Sequence, residues 1–177
     1  MSAVGDDAAM TGALPDWERR VAEVWDTAAD REEAEVVAAI AALAAQRPAG
    51  DVVALFEHAS ALDYAGREAE AEPLYRAALA GGLDEQRRSL AVIQLASTVR
   101  NLGRAAETVE LLRGEISRTG GQDDLHDARV AFLALALVDV GRPVHAVVEA
   151  LTALASHVPR FRRAITSYVA DLDQKPG

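Results

Sequence analysis

Asp123, Asp124, His126 and Asp127 are the densest group of side chains that could ligate a metal. A hard cation such as calcium asks for six or more oxygen ligands. No second cluster along the chain completes that set. Asp at the start of a helix also caps free N–H groups and suits the dipole, so capping by Asp123 or Asp124 is the expectation, and no metal site. His145 and Glu149 stand at i, i+4 but lack the second His of a zinc-binding helix. Gly81-Gly82 and Gly120-Gly121 do not extend into a phosphate-cradling signature. No G-x-S-x-G nucleophile elbow is present. Arg160, Arg162 and Arg163 flank Phe161 and read as a solvated face rather than a nucleic-acid contact. Arg100 beside Asn101 could hold an anion through charge-assisted hydrogen bonds. The competing reading is that Asn101 helps end a helix and Arg100 is solvated. No nucleophile, base and orienting group assemble. The expectation is therefore a protein without catalytic residues or cofactors.

The element that must position Arg100 and Asn101 is Ser89 to Arg104. Val92, Leu95, Ala96 and Val99 recur along one helical face. Gly103 then ends the helix, since a helix C-terminus commonly needs a left-handed residue. Two further Gly-Arg pairs, at Gly66-Arg67 and Gly141-Arg142, stand 37 and 38 residues from Gly103-Arg104. A fixed period of this size indicates a solenoid. Eleven residues before each Gly stand Leu55, Val92 and Val130, and seven before stand Ala59, Ala96 and Ala134. Four before stand Leu62, Val99 and Leu137; five after stand Ala71, Thr108 and Ala146. Leu79, Ile116 and Leu154 follow at thirteen. Large apolar residues recur where a core is filled, and small ones where two helices approach closely.

That unit resembles the tetratricopeptide repeat family, a helix–turn–helix of 34 residues. The best match is Leu55 to Ala78, with Ala59, Gly66, Ala71, Tyr75 and Ala78 on the family's small and aromatic positions. The resemblance covers about Val52 to Pro159. The periods here are longer, Leu55, Val92 and Val130 replace the family's opening Trp, and Thr108 and Glu115 are poor matches. The resemblance implies an all-α, right-handed helical-hairpin solenoid that binds proteins.

The composition fits. Half of the 177 residues are hydrophobic and few are aromatic, and Ala, Leu and Val in excess favour helix. There is no Cys, hence no disulfide framework or thiolate site. The formal charge of −10 lies in residues 1–80, with 16 acids and 6 bases; residues 81–177 hold 12 of each. An acidic total disfavours nucleic acid. The apolar run Val36 to Ala45 is too short to span a bilayer. MSAVGDDAAMTG reads as a tail, not a signal peptide, so a cytoplasmic protein with no membrane contact is expected.

Residues 1–14 and 174–177 are expected to be tails around one domain. A degenerate hairpin fills 15–48, starting at Pro15 and anchored by Trp17 and Trp25 in the core rather than for a ligand. Repeats follow at 52–82, 84–120 and 123–158, with Asp51 and Asp84 as N-caps. A capping helix of 160–173 carries Phe161, Ile165, Tyr168, Val169 and Leu172. His58 falls on a packing face.

The first helix of each pair should line a concave face. Its exposed residues are expected to be Phe56, Ser60 and Asp63, then Leu90, Ile93, Ser97, Arg100 and Asn101, then Ala131, Leu135 and Val138. The carboxylate clamp of the best-known peptide-binding members is not carried over, because Phe56, Ser60, Ile93 and Ser97 occupy its places. The expected function is an interaction scaffold for a protein or peptide partner; the alternative is a regulator binding a small molecule or anion. The apolar last third of the face needs covering, by the C-terminal helix, a second copy in a homodimer, or a partner helix.

Overall fold

The computed structural model describes residues 7–121 and 123–174. Among them are nine α-helices, one short 3-10 turn and no strand. The helices are α1 (Asp7–Asp26), α2 (Glu33–Ala44), α3 (Val52–Tyr64), α4 (Glu68–Gly81), α5 (Glu85–Asn101), α6 (Ala105–Thr119), α7 (His126–Asp139), α8 (Pro143–Ala155) and α9 (Arg162–Asp173). Pro15 is not the first residue of α1. The helix begins at Asp7, with good helix formers in Ala8, Ala9 and Met10. Residues 1–6 and 175–177 of the expected tails lie outside the described residues.

The chain divides into two compact units, one ending at Leu83 and one beginning at Asp84. In the first, α1 packs on α2, α2 on α3 and α3 on α4. Trp17 is buried and its indole N–H donates to the Leu43 carbonyl at 2.9 Å. The Trp25 indole donates to Glu57 at 2.8 Å, and its ring meets Tyr64 edge-on. Both tryptophans therefore serve packing. Asp51 caps α3 by accepting from the Ala54 N–H at 2.9 Å.

In the second unit α5 packs on α6, α6 on α7, α7 on α8 and α8 on α9, and α5 also meets α7. Asp84 caps α5 by accepting from the Arg87 N–H at 2.9 Å. The core is Ala96, Val109, Leu112, Leu133, Ala136, Leu137 and Ala146. Burying each large aliphatic side chain contributes roughly 1.5–3 kcal/mol.

One turn occurs three times. The Arg67, Arg104 and Arg142 N–H groups donate back to the carbonyls of Leu62, Val99 and Leu137, at 2.8, 3.1 and 2.8 Å. The glycine before each Arg donates to Asp63, Arg100 or Val138. This is the Schellman closure, in which a left-handed residue lets the chain turn back onto the last helical carbonyls. Gly66, Gly103 and Gly141 supply it with φ of 65°, 82° and 76°.

No heavy atom lies within 4 Å of where a Cβ on Gly103 would stand, so a substitution there meets conformational strain alone. Gly103→Val should cost about 2 kcal/mol, a loss of roughly 4–8 °C in Tm for a chain of this size. Gly103→Asn should cost less, because Asn tolerates the left-handed region. Calorimetry of the three proteins checks the order; equal melting would remove the turn assignment.

Candidate binding surface

Two helices of the second unit carry most of the expected surface. α5 and α7 lie side by side, and the Arg100 Nε donates to Asp139 Oδ2 at 2.5 Å across them. Both side chains are about a third exposed, so the pair fixes register more than it adds stability. Along α7, Ala131, Leu135 and Val138 stand at i, i+4 and i+7 and are all exposed. Leu135 is 47% and Val138 52% exposed, large values for aliphatic residues on a packed helix. On α5, Leu90, Ser97 and Arg100 are half-buried and Asn101 is exposed.

Other expected residues are not surface. Ile93 is buried at 7%. α5 is flanked by both α6 and α7, so it buries more than one stripe, including Ala91, Val92 and Ile93 in succession. In the first unit the same correction applies to Phe56 and Ser60, both buried on α3 between α2 and α4. The Phe56 ring packs on Tyr75 at 6.3 Å between centroids. The Ser60 hydroxyl donates to the Phe56 carbonyl at 2.9 Å and accepts from the Tyr75 hydroxyl at 3.4 Å. Burial raises the Tyr75 pKa, with the Ser60 hydrogen bond opposing and Asp63 reinforcing. Asp63 is half-buried beside them. His58 is half-buried on α3, and burial, then the Arg67 charge, lowers its pKa.

The acidic segment before α7 has a structural use that the sequence did not reveal. Asp123 accepts from the Leu125 N–H at 3.0 Å, but the N-cap residue of α7 is Leu125, without a side-chain cap. The Asp123 carboxylate instead receives Arg129 Nη1 at 2.8 and 2.9 Å. Arg129 is fully buried. Nearby Glu115 on α6 is 3% exposed and receives Arg118 at 2.7 Å and Arg88 at 3.4 Å. Burial alone would raise its pKa; the Arg118 hydrogen bonds and the charges of Arg118, Arg88 and Arg129 outweigh it and hold the carboxyl below its usual range. The signal for this cluster was the misfit of Glu115 at a position where the repeat pattern wants a small residue. Asp127 pairs with His157 at 2.6 Å. Among the described residues, no three acidic or His side chains converge as metal ligands. No described helix is long and apolar enough to cross a membrane.

The C-terminal helix α9 packs on α8 and leaves Leu135 and Val138 open. It is not the cover for this strip.

Set against known proteins, residues 52–172 match the family model of the tetratrico peptide repeat. No curated protein and no solved structure matches the chain.

The exposure pattern is checked by charge insertion. Leu135→Asp and Val138→Asp should each leave stability within about 0.5 kcal/mol of wild type. Ile93→Asp buries a carboxylate without a partner and should cost several kcal/mol, enough to remove the cooperative melt. Comparable melting of all three variants would mean that α7 is not open or α5 not buried as described.

Proposed function

The chain belongs to the tetratricopeptide repeat family, and from that premise we propose that it is a non-catalytic scaffold whose α5–α7 face takes an amphipathic segment of a protein partner. Ala131, Leu135 and Val138 form the apolar floor, Leu90 and Ser97 its margin, and Arg100 and Asn101 its polar end. The observation that carries this reading is the exposure of Leu135 and Val138 in line on one helix face. Helix-in-groove recognition uses apolar anchors at such spacing, and interface energy concentrates in a few central side chains. Phe56, Ser60 and Ile93 are left out because they are buried.

The anion-binding alternative draws less support. Arg100 already holds the Asp139 carboxylate, so an incoming anion would have to displace it and leave two negative groups together. A second copy of the chain is the stronger rival. The Leu135–Val138 strip is apolar, and a two-fold dimer places the same strip on both subunits.

The test is capture by tagged wild-type chain from an extract of its source cells, with mass measurement by light scattering alongside. The scaffold reading expects one stoichiometric protein of different sequence, at least about tenfold reduced by Val138→Asp at unchanged Tm. A dimeric mass abolished by Val138→Asp, with no other protein captured, transfers the strip to the homodimer. Capture undiminished in Val138→Asp refutes this face as the binding surface.

A further inference from the structure

A second surface shares no residue with that face. The side of α6 and the α7–α8 turn enclose a groove of about 470 Å³, lined by Ala106, Val109, Glu110, Arg113, Val140 and Arg142. That volume is in the range of ligand-sized clefts. Val109 is buried and Val140 half-buried, so they form an apolar floor. Arg113, Arg142 and Glu110 are exposed at its walls.

Among the described residues, the groove's two arginines carry no carboxylate partner. Most described arginines are neutralised in place, as Arg67 is by Glu70, Arg87 by Asp84, Arg104 by Glu107 and Arg118 by Glu85 and Glu115. Arg113 and Arg142 have no ion-pair or hydrogen-bond partner for their side chains among the described residues, and neither pairs with Glu110. Two unneutralised guanidiniums therefore share one cleft on a chain whose formal charge is −10. They stand on different elements, Arg113 on α6 and Arg142 on the Gly141 turn, where its backbone N–H is tied to the Leu137 carbonyl at 2.8 Å.

We infer that this groove docks an acidic peptide segment of a protein partner, with a Glu or Asp carboxylate between Arg113 and Arg142 and a neighbouring aliphatic side chain on Val109 and Val140. Guanidinium groups suit carboxylates because their N–H forks match the two oxygens. Glu110 repels a second acid at its own end, so the segment must alternate acidic and apolar residues rather than present a run of acids. The inference does not depend on the α5–α7 face.

The experiment is amide NMR of the ¹⁵N-labelled full chain titrated with the blocked tetrapeptide Leu-Glu-Leu-Glu. Leu-Lys-Leu-Lys and free glutamate serve as comparison probes. Saturable shifts are expected in residues 106–113 and 140–142, with none from the Lys peptide. The double variant Arg113→Glu, Arg142→Glu should weaken binding by at least about tenfold, at unchanged Tm because both side chains are exposed. Arg163→Glu, an equal charge change on α9, should leave affinity unaltered. No shift at millimolar peptide overturns the inference. So does an equal loss in Arg163→Glu, which would mean a general charge effect. Equal affinity for free glutamate also overturns it, since the groove would then read only an anion.

Discussion

The structure rests on helices that approach closely enough for backbone to meet side chain. The clearest case is Thr108, whose hydroxyl on α6 donates to the Ala96 carbonyl on α5 at 2.9 Å. Ala96 and Thr108 are both fully buried. A larger side chain at either place would hold the helices apart, because a packed interior has little room to yield. In the first unit Ala59 on α3 and Ala71 on α4 are likewise fully buried. The Gly-Arg turn between the two helices of each pair makes this approach geometrically possible. Turn and contact are thus one device, and the Schellman bonds at Leu62, Val99 and Leu137 are its repeated signature.

Seated this way, α5 and α6 fix where α7 can lie. α7 packs on α6, α8 and α5, which buries Val130, Leu133, Ala136 and Leu137 and turns Ala131, Leu135 and Val138 outward. Helical periodicity then makes the outward positions a strip rather than scattered spots. The same packing leaves the far side of α6 beside the α7–α8 turn, where Arg113 and Arg142 share a groove. The two surfaces differ in chemistry. The strip is apolar with one fixed ion pair, and the groove is cationic with an apolar floor.

The turns were legible in the sequence because the left-handed conformation singles out glycine, and three such glycines at regular intervals have no other common use. The Asp51 and Asp84 caps were legible for a similar reason: a short acceptor stood just after a turn and just before each helical segment. Leu135 and Val138 are exposed, and a single-stripe helical pattern points them outward. That same pattern misplaced Phe56, Ser60 and Ile93. It assumes that a helix buries one side, whereas α3 and α5 each lie between two neighbours. The Asp123 pairing with Arg129 was not legible, because a local capping motif and a buried ion pair call for the same residue. The Arg113–Arg142 groove depends on which arginines lack partners, which is a property of the folded arrangement alone.

The close approach of α5 and α6 is most directly tested by enlarging the alanine at its centre. Ala134 occupies the matching position of the following repeat but is only half-buried. The melting temperatures of Ala96→Leu and Ala134→Leu are therefore the informative pair. The account predicts that Ala96→Leu loses about 3 kcal/mol or more by overpacking, roughly 6–12 °C, and that Ala134→Leu loses much less. Equal, small losses in both would contradict it, since the helices would then have room that a fully buried alanine under a bonded carbonyl does not allow.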